Sequence, residues 1–230
     1  MNLSLEVQSR NDLARNTKIP ELNSKLAEFL GILTGDGYMN IYRKSDYVIE
    51  IAGDKNNDFN YLNGYVTGLI KELFNISPRR IIRNNQNSMY LRIRSKKVFL
   101  FLEKIGFVKG IKGNIGVPGW ILENEDYISN FLRGLTDTDG SLSLKKRKKS
   151  LYPVISIASK SKILLKTVSL YLIKKEISYS FFEESTISGR YSKPLKIYRI
   201  QISGRKNLSK WLELIGVKND RHIKKLKVLK

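Results

Sequence analysis

Two stretches decide the fold: Phe-Leu-Gly-Ile-Leu-Thr-Gly-Asp-Gly at positions 29–37 and Leu-Arg-Gly-Leu-Thr-Asp-Thr-Asp-Gly at positions 132–140. They lie about 100 residues apart, and each has apolar and small residues that lead into Asp-Gly, as in a repeat. The segments that follow them also match in order, for example Val48–Ala52 with Val154–Ala158. Ordered matches of this kind indicate a duplication, so we expect two halves with the same fold.

Hydrophobic periodicity predicts seven elements in each half: a helix ending at Asp-Gly, two strands, a helix, two strands and a closing helix. This pattern indicates the α+β class, with duplicated αββαββα units, two antiparallel sheets and a pseudo-two-fold axis between the halves. The expected divisions are an N-terminal extension at 1–23, a first half at 24–108, a glycine-rich linker without secondary structure at 109–124 and a second half at 125–230.

The two helices that end at Asp-Gly, predicted over residues 24–35 and 125–138, should pack against each other. Glycine inside a helix costs roughly 1 kcal/mol relative to alanine. Gly31 and Gly35 lie one turn apart on one face, so a close contact should compensate for them. The second helix has small residues at the matching positions, Gly134 and Thr138. We therefore expect a tight seam between these helices.

Asp36 and Asp139 stand where a carboxylate is unfavourable. The carbonyl end of a helix carries partial negative charge, so an anion there costs a few tenths to about 1 kcal/mol. Two carboxylates on neighbouring helix ends also repel each other. A divalent cation relieves both conflicts, and oxygen ligands suit Mg²⁺. We predict a metal site at these two residues, with Gly37 and Gly140 ending the helices in the left-handed conformation.

The charge of the chain favours a polyanionic partner. Lysine and arginine number 42 against 21 aspartates and glutamates, which gives a formal net charge of +21. Nucleic acid and an anionic membrane surface are the candidates, and nucleic acid is favoured. No apolar run approaches the roughly 18 residues that a membrane-spanning helix needs. We therefore expect no membrane role.

Cysteine is absent and the single histidine is His222. This composition excludes disulfides, Cys/His zinc sites and thiol nucleophiles. His222 lies in a basic run, where a solvent-facing imidazole is expected rather than a buried general base. Catalysis would then depend on carboxylates, lysines and hard metal ions.

The two motif segments resemble the LAGLIDADG motif, and from about Ser24 to its C-terminus the chain is similar to the two-motif, single-chain LAGLIDADG homing endonucleases. The resemblance implies a monomer whose two sheets form a saddle on the major groove of double-stranded DNA. It also implies that Asp36 and Asp139 hold Mg²⁺ or Mn²⁺ and that both strands are cut. Thr34 departs from the motif, where the second copy has Asp137, at a position that serves capping or packing in the family.

Further site residues follow from the resemblance. Lys112 and Lys218, after the last helix of each half, are candidates for phosphate or transition-state contacts, with ordinary solvated lysines as the alternative. Polar residues alternate with apolar ones on two strands, and such residues could contact base edges: Tyr90, Arg92, Arg94, Arg199 and Gln201. A basic hairpin predicts phosphate contacts, with nuclear targeting or a solvated loop as alternatives: Lys145, Lys146, Arg147, Lys148 and Lys149.

Two classes of function fit these residues. The first is a site-specific endonuclease of the kind that intron homing uses. The second is a binding protein, either a maturase acting on intron RNA or a DNA-binding protein that does not cut, and the presence of both aspartates favours cutting. An intein endonuclease domain is disfavoured, because the chain begins at Met1 and ends at Lys230. The composition fits an archaeal cytoplasm and an organelle with intron-encoded proteins equally.

Overall fold

The computed structural model describes residues 9–110, 112–147, 150–186 and 195–229. The elements that precede residue 106 are helix α1 (Arg10–Ala14), motif helix α2 (Ser24–Asp36), strands β1 (Gly37–Tyr42) and β2 (Asp46–Asp54), a π-helical segment (Tyr61–Val66) leading into α3 (Thr67–Phe74), strand β3 (Arg79–Arg83), a 3₁₀ turn (Asn84–Gln86), strand β4 (Ser88–Arg94) and helix α4 (Lys96–Lys104).

The later elements repeat that order. They are the short helix α5 (Gly119–Leu122), motif helix α6 (Glu125–Thr138), strands β5 (Gly140–Arg147) and β6 (Ser150–Ser159), helix α7 (Lys162–Lys174), strands β7 (Ser180–Thr186) and β8 (Leu195–Ser203), and helices α8 (Arg205–Leu214) and α9 (Asp220–Val228). The predicted α+β class and the duplicated αββαββα order are confirmed. No helix in the described ranges is long and apolar enough to cross a membrane.

Each half contains one antiparallel sheet of four strands. The strand orders are β1-β2-β4-β3 and β5-β6-β8-β7, so the two sheets have the same topology. Alternate residues of the inner strands point to the core: Ile49 lies opposite Met39 and Ile93, and all three are buried. The other residues of these strands leave a polar face on each sheet.

The seam between α2 and α6 accounts for the motif glycines. A Cβ added to Gly31 would lie 2.0 Å from the carbonyl oxygen of Phe131, and one added to Gly134 would lie 2.2 Å from that of Glu28. A Cβ on Gly35 would lie 2.0 Å from the hydroxyl of Thr138. The two backbones therefore touch along the seam, as Gly31, Gly35, Gly134 and Thr138 predict.

A buried ion pair fixes one side of the seam. Glu28 of α2 is almost completely buried, and its Oε2 accepts from the guanidinium of Arg133 of α6 at 2.6 Å. The hydroxyl of Tyr65 donates to Oε1 of the same carboxylate at 2.8 Å. A charge at this depth is tolerated because it is both paired and hydrogen-bonded. The pair joins the two halves through their motif helices.

Two local predictions were wrong. Gly37 follows α2 with φ −85° and ψ 155°, which is extended, and Gly140 is not left-handed either. Both glycines are needed instead because the chain passes close to the preceding helical turn. A Cβ on Gly37 would lie 2.5 Å from the carbonyl oxygen of Leu33, and one on Gly140 would lie 2.5 Å from that of Thr136. The segment at 109–124 is not free of secondary structure, since it contains α5.

The described part of the N-terminal extension packs on the first half. Ser9 caps α1 in a capping box with Asp12. The carboxylate of Asp12 is fully buried and also accepts from the hydroxyl of Ser95 and the backbone N–H of Lys97 at the start of α4. With the backbone N–H and the hydroxyl of Ser9, the carboxylate accepts four hydrogen bonds in all. Its buried oxygens are therefore satisfied, and the contact is stabilising. Asp12 thus ties the extension to the end of the first sheet.

Candidate active site

Both aspartates of the Asp-Gly pairs lie at the carbonyl ends of the motif helices. Asp36 is the last residue of α2, and Asp139 is the capping residue that follows α6. The two ends meet, because a Cβ on Gly35 would be 3.2 Å from the backbone nitrogen of Asp139. The seam therefore brings two carboxylates together at one end of the interface between the halves.

The surroundings of these carboxylates disfavour their charged forms. Burial raises the pKa of Asp36 to about 7, the negative charge of Asp139 acts in the same direction, and the cations Arg221 and Lys112 oppose them. Burial also raises the pKa of Asp139 against the effect of Lys112 and Arg221. Asp139 lies at the rim of an open cavity, so solvent reaches part of it while protein atoms surround the rest. Two neighbouring acids with raised pKa values, one of them on the wall of a cavity, are typical of functional centres.

Lys112 closes the end of the first motif helix. Its ammonium donates to the carbonyl oxygens of Leu33 at 3.0 Å, Thr34 at 2.9 Å and Gly35. The carbonyl of Leu33 also accepts from the backbone N–H of Gly37. Carbonyls of a helix's last turn lack donors within the helix, so the cation supplies a donor and opposes the negative end of the helix dipole. Burial lowers the pKa of Lys112, and the nearby aspartates limit that decrease. The predicted residue is therefore held at the site.

Arg221 closes the end of the second motif helix in the same way. Its guanidinium donates to the carbonyl oxygens of Asp137 at 3.0 Å, Gly140 at 3.0 Å and Thr138. Lys218, the predicted counterpart of Lys112 in contacting phosphate or the transition state, is exposed, and its ammonium lies 5.9 Å from the centre of the Tyr65 ring. Arg221, rather than Lys218, therefore occupies the position that corresponds to Lys112.

The environment of Arg221 also corrects the expectation for the histidine. His222 is buried, not solvent-facing, and its ring contacts the backbone N–H of Leu142 at 3.4 Å and the carbonyl of Thr136 at 3.2 Å. Burial lowers the pKa of His222 to about 4, and the adjacent Arg221 acts in the same direction. The imidazole is thus a neutral structural group that anchors α9 against β5.

Asp137 and Thr34 occupy equivalent buried positions near the helix ends. Oδ2 of Asp137 accepts from the backbone N–H of Lys218 at 2.7 Å, which ties α6 to the segment before α9. Its Oδ1 has no hydrogen-bond partner in the described part of the chain, and burial raises the pKa of Asp137 to about 7. Asp137 serves packing and capping. The presence of Thr34 at the equivalent position in the first copy therefore leaves both candidate metal ligands, Asp36 and Asp139, in place.

A cavity of about 370 Å³ opens beside Asp139. Its polar lining includes the side chains of Thr34, Lys112, Ser159 and Lys160. The cavity is continuous with the end of the seam and has both an acid and two cations on its wall. Its size and the charged groups on its wall suit a solvated phosphate group with an accompanying cation.

The residues present fit a hard divalent cation. The described residues contain no group of three or more Asp, Glu, His or Cys side chains in ligand geometry. Mg²⁺ does not need such a cage, because it keeps several waters and often binds through one or two carboxylates. Asp36 and Asp139 would supply these carboxylates, and the charge of the cation would offset the conditions that raise their pKa values.

The candidate base-reading side chains lie on the polar faces of the two sheets. Arg92 donates to Glu50 at 2.6 Å, and Arg199 makes a two-pronged contact with Glu184 at 3.0 Å through both Nε and NH2. Arg94 pairs with Asp46 at 3.2 Å, Tyr90 lies under the guanidinium of Arg83, and Gln201 is half-buried. Of the basic hairpin, Lys145 and Lys146 are exposed on β5, Arg147 is described by its backbone alone, and Lys148 and Lys149 lie outside the described residues.

Comparison with known proteins identifies the fold. A family model described as a LAGLIDADG-like domain matches residues 126–216. The structure of I-DmoI in complex with DNA and Ca aligns with a TM-score of 0.61 and 20% sequence identity, covering 89% of this chain and 97% of that one. The resemblance to LAGLIDADG homing endonucleases is thereby confirmed at the level of the fold.

Two sequence relatives come from archaea. An uncharacterized protein of Methanocaldococcus jannaschii is 28% identical over 199 residues, which are 80% of this chain and 67% of that protein. The tRNA-splicing ligase RtcB of Pyrococcus abyssi is 31% identical over 209 residues, which are 85% of this chain and 22% of the ligase. This chain thus spans about two thirds of the first relative and about a fifth of the second.

Proposed function

We propose that this chain, which has the LAGLIDADG homing endonuclease fold, is a site-specific endonuclease that cuts double-stranded DNA with a divalent metal. One observation carries the proposal: the seam places Asp36 and Asp139 at adjacent helix ends, with one cation, Lys112 or Arg221, closing each end. Two acids and two cations at the junction of two similar halves suit a reaction on two similar strands.

Double-stranded DNA is the proposed partner. The net charge of +21 supports a polyanion. The two sheets have the same topology and polar faces that carry arginine, tyrosine and glutamine, which are side chains able to contact base edges in the major groove. Exposed Lys145 and Lys146 on β5 would contact phosphates. The similarity to a tRNA-splicing ligase does not extend the ligase activity to this chain, since the matched part is a fifth of that protein.

In the proposed mechanism Asp36 and Asp139 would hold the metal, which when bound would supply Lewis acidity toward phosphate and lower the pKa of water. Lys112 and Arg221 would place positive charge at the helix ends and would stabilise the negative charge that develops on the phosphate oxygens. His222 is neutral, buried and hydrogen-bonded to the backbone, so it does not act as the base. Each half would thus present one aspartate and one cation to a phosphodiester.

A selection from random DNA tests the proposal. The protein is incubated with Mg²⁺ and a library of duplexes with a randomised segment, and the ends of cut molecules are sequenced. We expect cuts in both strands at a fixed offset within a shared sequence, and none when EDTA replaces Mg²⁺. Tight binding without cutting would favour the binding-protein alternative, and cutting that persists in EDTA would contradict a metal mechanism.

A further inference from the structure

A third buried carboxylate lies beside the proposed site. Asp58 follows β2 in the first half and is only 5% exposed. Its Oδ1 accepts from the side-chain amide of Asn219 at 2.8 Å and lies 3.4 Å from NH1 of Arg221. Its Oδ2 accepts from the backbone N–H of Asp54 at 3.0 Å. Asp58 of the first half therefore contacts the cation that closes the motif helix of the second half.

Asn219 completes this contact and leaves it little freedom. Its side-chain oxygen caps α9 by accepting from the backbone N–H of Arg221 at 3.0 Å. Its amide nitrogen donates both to Asp58 and, at 2.9 Å, to the carbonyl of Asp137. Every polar atom of this buried amide is thus used. The network fixes the first turn of α9, and with it the base of the Arg221 side chain.

The other half has a different residue at the matching place. Ser161 caps the N-terminus of α7, just as Asp58 lies immediately before the corresponding helical segment of the first half, and Ser161 is also buried. Its hydroxyl bonds the segment that carries Lys112, through the carbonyl of Ile115 and, at 3.2 Å, the side chain of Asn114. Lys112 forms no ion pair with a described carboxylate within 4.0 Å, whereas Arg221 does. The halves therefore differ: an acid contacts the cation Arg221 directly, whereas the Ser161 hydroxyl contacts only the segment that carries Lys112.

We propose that Asp58 is a positioning residue that orients Arg221 toward one of the two DNA strands, so that the two strands depend on different side chains. The inference rests on the proposed nuclease function. Arg221 would serve one strand and Lys112 the other. Asp58 would affect only the strand that Arg221 serves, because it acts through that guanidinium.

Strand-resolved cleavage tests this assignment. A duplex recovered from the selection, labelled differently on its two strands, is cut in Mg²⁺ by the wild type and by the variants Asp58→Ser, Arg221→Gln and Lys112→Gln. Asp58→Ser copies the residue of the other half. A misplaced catalytic group costs about tenfold to a hundredfold in rate, so we expect Asp58→Ser and Arg221→Gln to slow the same strand by such a factor. Lys112→Gln should slow the other strand.

Asp12→Asn is the matched control. Asp12 is a similarly buried carboxylate in the N-terminal extension, and it contacts the start of α4 rather than the site. Its loss should lower stability without changing the ratio of the two strand rates. If Asp58→Ser slowed both strands equally, or slowed the strand that depends on Lys112, the positioning role would be refuted.

A measurement without metal or DNA separates this inference from the nuclease proposal. Asp58→Ser, Arg221→Gln and the double variant are unfolded thermally in EDTA. Because the two side chains contact each other, the shift of the double variant should be smaller than the sum of the single shifts. Additive shifts would overturn the contact even if the protein cuts DNA. If the shifts are non-additive but the protein cuts no DNA, the contact between Asp58 and Arg221 is supported and only the nuclease function is refuted.

Discussion

Replacing Gly134 with alanine should separate the two motif helices. The added methyl group would lie 2.2 Å from the carbonyl oxygen of Glu28 and 2.8 Å from the backbone nitrogen of Ile32. Ordinary contacts between a carbon and a carbonyl oxygen are about 3.3–3.6 Å. The opposing atoms belong to the backbone, so they cannot rotate away as a side chain would. The helices must therefore move apart by about 1 Å or the chain must distort.

The expected cost follows from two opposing terms. Overpacking a tight interface costs about 1–3 kcal/mol, and alanine recovers up to about 1 kcal/mol of helix propensity. We expect Gly134→Ala to lower the free energy of unfolding by about 2 kcal/mol. For a chain of this size, that corresponds to a decrease in Tm of about 4–8 °C.

Gly68→Ala is the matched control for the same chemical change. Gly68 lies on the exposed face of α3, and a Cβ there has no heavy atom within 4 Å. This variant should gain up to about 1 kcal/mol from helix propensity alone. Thermal and urea unfolding followed by circular dichroism would compare the two variants in EDTA. A Gly134→Ala protein as stable as Gly68→Ala would refute the backbone contact at the seam.

Three further predictions concern charge. In EDTA, Asp36→Asn should be more stable than the wild type by about 1–2 kcal/mol at pH 8, after allowance for solvent access. This difference in the free energy of unfolding should shrink as pH falls from 7 toward 4, because the pKa of Asp36 is raised in the folded state and its ionisation therefore opposes folding. Unfolding midpoints of both proteins at pH 5 and 8 test this. A difference that does not change with pH would contradict it. Arg133→Met should lower the free energy of unfolding by about 3–5 kcal/mol, because it leaves the carboxylate of Glu28 buried and unpaired. A much smaller decrease, measured by urea unfolding, would argue against the ion pair. DNA affinity should fall as the salt concentration rises, with a log–log slope of roughly −0.9 per phosphate contacted. Replacing Lys145 and Lys146 with serine should make that slope less steep and weaken binding to all duplexes alike. An affinity that does not change with salt would exclude phosphate contacts.

The duplicated fold and the seam could be predicted from the sequence because local signals carry them. Helical and strand periodicity set the elements, and glycine at Gly31 and Gly134 has a cost that a close contact explains. Asp36 and Asp139 were predicted as the paired acids because a carboxylate opposes the dipole at a helix C-terminus. The structure places them together at one end of the seam.

Other features depend on contacts that periodicity does not encode. Helix α9 and Arg221 were missed because the lysine-rich segment at 220–228 looks like a solvated run. The start of α9 is held in place by Asn219, whose amide contacts Asp58 at a sequence separation of 161 residues. Gly37 shows a second limit: glycine allows either a left-handed turn or a close approach, and only the position of the Leu33 backbone decides between them.

The most direct test of the central claim is the Asp36→Asn, Asp139→Asn double variant on a duplex recovered from the selection. Binding is measured in Ca²⁺ and cleavage in Mg²⁺, beside the wild type. The account predicts that the double variant folds and binds with an affinity close to that of the wild type, because most of the affinity comes from phosphates away from these residues. Cleavage of both strands should be lost. A folded double variant that still cuts the duplex in Mg²⁺ would contradict the assignment of the site.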